Sequence, residues 1–281
     1  MAETRGYTLT RVEVKRRLIE LADPEEEFEV IFSGKASKKV DGLYKPDTRE
    51  IVLHTKNFGS DDELMYTAIH ELAHHIHFTG SPLPISSKAH TQEFWSLFHG
   101  LLIRAERAGL YHSPFETIDA FRALTKRIRN EFLSVNGELM KDLGSLLLEA
   151  QALCETHRAS FQDYLERVLR LPRTSARTII RSHQYDLDPE VGFENMRTLT
   201  RISEREPRDR AQASLLEGQT LEMVKADYLS PRKSPSPLEA LAAEKRRIER
   251  TIQSLQRRLA ELEARMQRFE DGPKEGRQEP P

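Results

Sequence analysis

Cysteine occurs once in these 281 residues, at Cys154. An intramolecular disulfide framework is therefore excluded, and a reducing compartment is the expectation. No apolar run approaches the length of a membrane span, and the opening MAETRGYTLTRVEVKRRL lacks the apolar core of a signal segment. A cytoplasmic protein without a membrane partner is the reading. Neither sign of charge dominates: 43 basic and 45 acidic side chains leave a net charge of −2. Any affinity for nucleic acid must then come from a local patch rather than from the whole molecule. What the chain does have in excess is histidine in one place. Seven of its ten histidines lie between His54 and His99, and four of them, with Glu71, fall within residues 70 to 77 of TAIHELAHHIHFTG.

The surroundings of that stretch read as a small mixed domain. A first helix is expected over 8–22, with Val12, Leu18 and Leu21 among its apolar positions and Pro24 after its end. FEVIF (28–32) has the β-branched and aromatic character of a strand. VDGLYKPDTREIVLHT (40–55) reads as two strands joined by a turn at KPDT. Ser60 and Glu63 have the spacing of a capping box, so a helix should start there and run to Gly80, where Pro82 and Pro84 forbid continuation. Another helix is expected from near Ser87 to Gly109.

On a helix, residues four apart project from one face, so His70 and His74 present two imidazoles to one point. Glu71, beside the first of them, can reach a water there. This is H-E-x-x-H, in which a zinc ion acidifies water and the glutamate takes its proton. A catalytic zinc needs a third protein ligand. His77 lies about 10 Å along the axis from His70 at roughly 1.5 Å per residue, too far to share the ion comfortably, and His75 points elsewhere, toward solvent. The longer metzincin pattern would need Gly at 77 and His at 80; the chain has His77 and Gly80. In KAHTQEFWSLF the remaining candidates are His90 and Glu93, and spacing alone leaves both open. Tyr111 and His112 are conceivable oxyanion donors, though ordinary packing explains them as well.

The run HELAHH…SKAHTQEFWSLF resembles the SprT-like and YgjP-like zinc metallopeptidases over about residues 25 to 110. The resemblance rests on His70, Glu71, His74, His90, Phe94 and Trp95, and on the strand-rich GLYKPDTREIVLHT before the helix. It implies a minimal zincin domain, a Zn2+ site of His70, His74 and His90 with Glu93 as the alternative ligand, and Glu71 as general base in peptide-bond hydrolysis. An extended substrate could add to the strand EIVLH. HIHFTGSPLPISSKAH is longer than the corresponding link in the YgjP-like branch.

Beyond residue 115 the chain reads as helical. Phe121, Leu124, Ile128, Phe132, Val135, Leu139 and Leu143 form one stripe of a long helix, read as core-facing. Residues 159–185 suggest a helix-turn-helix, with Ser160 capping the first helix and Thr174 or Ser175 the second. From Thr156 to His183 six arginines face two carboxylates, and Arg173, Arg177 and Arg181 step by four. That row suits phosphates or guanine edges. SPRKSPSP (230–237) is a linker, and 238–270 carries a heptad-like apolar seam, read as a self-associating coiled coil before a disordered tail, 271–281. The expected organisation is therefore an α+β metallopeptidase domain (1–115), an all-α domain (116–229) and a coiled-coil helix. The expected function is a zinc metalloprotease acting on protein substrates, including DNA-associated ones. The competing class is a non-enzymatic DNA-binding regulator or scaffold that keeps a structural metal.

Overall fold

A computed structural model describes residues 6–80, 90–229 and 237–270. Its described part is mostly helical with one three-stranded sheet. Residues 6–80 and 90–229 belong to one compact unit and 237–270 to another. The expected helix start at Ser87, the linker through Ser236 and the tail 271–281 lie outside the described residues.

Helix α1 (Arg11–Ala22) starts where its capping box dictates: the Thr10 hydroxyl accepts the Glu13 N–H, and the Glu13 carboxylate accepts the Thr10 N–H. Its buried face is Val14, Leu18 and Leu21, whereas Val12, expected among its apolar positions, is 71% exposed. Val12 lies half a turn from Val14, on the opposite side of the helix. Strands β1 (Glu29–Phe32), β2 (Gly42–Lys45) and β3 (Glu50–Leu53) form a sheet in the order β1-β3-β2. β1 is parallel to β3, and β2 is antiparallel to it across a turn at 46–49 that places Arg49 in the left-handed region (φ 53°).

Helix α2 (Asp61–Gly80) carries Asp61, Asp62 and Glu63 in its first turn, where carboxylates complement the helix dipole. The Ser60 hydroxyl accepts the Glu63 N–H, as a capping box requires, but the Glu63 carboxylate turns to the Gly59 N–H at 2.6 Å. Asp61 fastens the N-terminal segment: its carboxylate accepts the Thr8 N–H and hydroxyl, both at 2.7 Å, and the Leu9 N–H at 3.0 Å. Leu64, Met65, Ala68, Ile69, Leu72 and Ala73 are buried along α2. With α1, the sheet and α3 (Gln92–Arg107) they form a core drawn from residues 7 to 111.

The chain then enters one uninterrupted helix: α4 (Asp119–Ile128), a π turn (Arg129–Leu133) and α5 (Ser134–Thr156). Here the core-facing expectation fails. Neither α4 nor the π turn buries a residue, and Phe121, Leu124, Ile128, Phe132, Val135 and Leu139 are all exposed. Periodicity identifies an apolar face but not what lies opposite it. Only the second half of the helix packs. Gly137 and Gly144 let it approach Pro189 and α6 (Arg173–Gln184) so closely that a Cβ at Gly144 would lie 2.7 Å from the Ile179 carbonyl oxygen. Two further cores follow, one around Leu147, Leu165, Ala176 and Ile179, the other around Leu187, Met196, Leu199 and Val224. Helices α7 (Phe193–Leu199), α8 (Arg205–Leu216) and α9 (Leu221–Tyr228) frame the latter. α9 lies against α3, where the His99 Nδ1 and the Thr220 hydroxyl are 3.0 Å apart.

Residues 237–270 form the single helix α10 (Pro237–Glu270), with Leu241, Ile248, Ile252, Leu255, Leu259, Leu262 and Met266 exposed along it. No helix among the described residues is long and apolar enough to cross a membrane.

Candidate metal centre

His70 and His74 project together from the middle of α2. His90 joins them from the residue before Thr91, whose hydroxyl caps α3 by accepting the Phe94 N–H. The Nε2 of His90 is 3.1 Å from the Nε2 of His70 and 3.1 Å from that of His74. An imidazole Nε2 either donates one proton or accepts one, so it cannot make two good hydrogen bonds at once. Three lone pairs directed at a common point account for the arrangement better. A tetrahedral ion at about 2.0–2.1 Å from each nitrogen would separate its ligands by about 3.3–3.4 Å, close to what is found. Among the described residues these three histidines are the group able to hold a metal ion.

The surroundings of His70 and His74 favour the neutral form that metal binding needs. Burial, then the charge of His90, pushes His70 down to about 4. Burial, then His70, His90 and His77, does the same to His74. Phe94, fully buried, stacks on His74 with ring centroids 4.3 Å apart and meets His90 edge-on at 4.7 Å. Trp95 lies 5.5 Å from the His90 ring. Phe94 also meets His70 edge-on at 5.1 Å, so the aromatics at the start of α3 touch all three imidazoles.

Glu71 is buried, and burial pushes its carboxyl up to about 7 against the opposing pull of the Tyr44 backbone N–H. That N–H is available for a structural reason. The His54 N–H donates to the Asp41 carbonyl at 2.8 Å, and bonded pairs alternate along an antiparallel ladder. Gly42 and Tyr44 therefore turn their N–H and C=O groups away from β3. The expectation that a substrate strand adds to EIVLH is corrected here: β3 is the central strand, paired on both sides, and the free edge beside the histidines belongs to β2. Gly42, Leu43, Tyr44, His70, Glu71, His74 and His90 line a cleft of about 430 Å³.

Gly42 was not anticipated as a site residue. A Cβ there would meet Thr67 Cγ2 at 2.8 Å and Glu71 Cγ at 3.2 Å. The glycine lets the edge strand lie directly on α2 over Glu71; a glycine inside a strand pattern is the signal that could have marked it. Gly42→Ala is expected to cost about 1–3 kcal/mol by overpacking, read as a lowered thermal midpoint.

His75, expected toward solvent, is fully buried. Its Nε2 lies 2.8 Å from the Glu26 carbonyl, which can only accept, so that nitrogen carries the proton and Nδ1 accepts the Tyr44 hydroxyl at 3.0 Å. His75 thereby anchors β2, the strand that lines the cleft. His77 stands outside the triad; its Nδ1 is buried without a hydrogen-bond partner among the described residues. Glu93, the alternative ligand, is exposed on α3 outside the triad, near enough to His77 for its charge to act there. Tyr111 and His112 do not reach the cleft. They line a larger cavity of about 600 Å³ with Asp41, Asp62, Glu63 and Thr67, nearer the N-terminus of α2. It contains none of the three histidines, and the chemistry of the donor set, not cavity size, identifies the site.

The arginine row lies elsewhere. The first helical segment of the expected helix-turn-helix starts at Ser160 as foreseen, its hydroxyl accepting the Asp163 N–H, and continues as a π turn, Tyr164–Val168. The second, α6, has Pro172 at its N-cap; neither Thr174 nor Ser175 caps it, because both lie inside its first turn. α6 buries Ala176, Ile179 and Ser182, and on the opposite side Arg173, Arg177 and Arg181 are exposed. No protein-family model, curated protein or solved structure matches this chain.

Proposed function

We propose that the chain is a zinc-dependent metalloprotease whose N-terminal part is a minimal zincin domain of the SprT-like and YgjP-like kind. One observation carries the reading: three imidazole Nε2 atoms, two from α2 and one from the residue before the α3 cap, converge beside a buried glutamate in an open cleft. His70, His74 and His90 would hold the zinc. When bound, it supplies Lewis acidity, making water a stronger acid and a carbonyl a better electrophile. Glu71 supplies the proton transfers, taking a proton from the attacking water on its carboxylate and returning it to the leaving amine. Its raised pKa suits both halves of that cycle near neutrality. The free edge of β2, with the outward carbonyls of Gly42 and Tyr44, aligns an extended peptide across the cleft. Purified protein is expected to contain about one zinc per chain and to hydrolyse an unfolded protein substrate. Activity should vanish with a chelator and return with zinc. Metal-free protein from zinc-replete cells would overturn the reading.

The same proposal gives α6 a docking role. Arg173, Arg177 and Arg181 are exposed on one face, and no ion pair engages them among the described residues. They would bring the protease to DNA-associated substrates, while α10 pairs chains as a coiled coil. Replacing the three arginines by alanine should weaken duplex binding in a mobility shift and reduce its salt dependence by about 3 in log–log slope, near 0.9 per phosphate contact. A slope unchanged from wild type removes DNA from the proposal.

A further inference from the structure

The first half of the long helix carries an apolar row that no described residue of its own compact unit covers. Phe121, Leu124, Ile128, Phe132 and Val135 are each between 42% and 64% exposed. Phe115, Ile118 and Leu139 extend the row and fall in the same range. Half of eight such side chains, at about 150–250 Å² for an aromatic and somewhat less for Leu or Ile, is on the order of 700 Å². That exceeds what a monomer ordinarily leaves contiguous in water. It approaches one partner's share, about 800 Å², of a standard interface.

We infer that this face pairs with the same face of a second copy of the chain, antiparallel, about a twofold axis at Ile128. The spacing of the row is the argument. From Phe121 to Val135 the steps are three, four, four and three, which read the same in both directions. A twofold interface requires a surface complementary to itself, residue i meeting j and j meeting i. Reversed about Ile128, the row maps onto itself: Phe121 meets the partner's Val135, Leu124 meets the partner's Phe132, and Ile128 meets its own copy. Beside the axis, Arg127 has Glu131 at 3.5 Å on its own chain.

Charge also argues against a bilayer as the cover. Residues 115–139 hold four basic side chains, Arg122, Lys126, Arg127 and Arg129, and four acidic ones, Glu116, Asp119, Glu131 and Glu138. An interfacial helix that seeks anionic lipid has a basic excess, and this segment has none. These residues are distinct from those of the apolar row of α10, so a substitution at Ile128 leaves that row intact.

The test uses the full chain with Cys154→Ser, so that an added cysteine is the only thiol. Ile128→Cys places it on the axis and Lys126→Cys on the polar side of the same helix. With a short bis-maleimide at low protein concentration, Ile128→Cys is expected to give at least tenfold more covalent dimer than Lys126→Cys. In sedimentation equilibrium, Ile128→Glu should weaken self-association roughly a hundredfold or more, as a charge at the centre of an apolar interface does. Its helix signal should stay intact, because Ile128 belongs to none of the cores. Equal cross-linking at the two positions would overturn the inference, as would a dimer indifferent to Ile128→Glu, the result of pairing through α10 alone. A chain that stays monomeric but sediments with phosphatidylserine vesicles until Ile128 is replaced would assign the face to lipid instead.

Discussion

Glu71→Gln is expected to leave zinc binding intact and to lower peptide hydrolysis by about 10²–10⁴-fold, the usual contribution of a positioned general acid–base group. The substitution isolates one property. Glutamine has the same shape, and its amide oxygen can still accept the Tyr44 N–H that now faces the carboxylate. It loses only the ability to take up a proton and return it. The three imidazoles that would hold the ion come from other positions, so metal content measured by mass spectrometry should match wild type. Folding should not suffer either. Burial disfavours the charged form of Glu71, and a neutral amide carries no such cost. The melting temperature is therefore expected to be equal to wild type or higher. Those three readouts separate the two classes of function that the sequence allows. An unchanged biological activity of the Glu71→Gln variant, with no peptide hydrolysis by either protein, would mean that the centre is structural and the protein a scaffold.

Legibility from the sequence followed the range of the interactions concerned. The sheet strands and the capped start of α2 depend on turn residues and caps a few positions apart, and they emerge where the sequence places them. The His70–His74 pair is equally local, because helical geometry alone brings the two rings together. His90 comes near them across 16 to 20 residues. The sequence offered it beside Glu93 without deciding; the cap at Thr91 and the ring of Phe94 determine which of the two faces α2. His75 shows the opposite failure. Its neighbours in sequence suggested solvent, but Tyr44 and the Glu26 carbonyl, 31 and 49 residues away, enclose it. β2 and β3 were both recognisable as strands, but which of them is the edge depends on β1 joining β3 from the other side. The exposed face of α4 makes the same point in reverse, since a sequence shows an apolar stripe equally well whether its cover lies in the same chain or another.

His90→Ala and Glu93→Ala, compared side by side, are expected to differ by more than two orders of magnitude in zinc affinity. Structural zinc sites of four ligands bind with about 10–16 kcal/mol, or roughly 3–4 kcal/mol per ligand. Loss of one ligand then weakens binding by about 10²–10³-fold, since each 1.4 kcal/mol is about tenfold. Alanine at 90 leaves His70 and His74, still neutral and still paired on α2, but opens the side of the ion that α3 closes. The Phe94 ring remains against His74, so the first two ligands keep their packing and the loss is confined to the third. Alanine at 93 removes a carboxylate that stands outside the triad and acts mainly on His77; zinc affinity should remain within about twofold of wild type, as for most surface substitutions. Competition with a chromophoric chelator at fixed pH measures both. A selective loss in Glu93→Ala would transfer the third position to the carboxylate and require α3 to turn its first residues toward α2. Equal, small losses in both would leave only the pair on α2, too few protein ligands for a catalytic zinc.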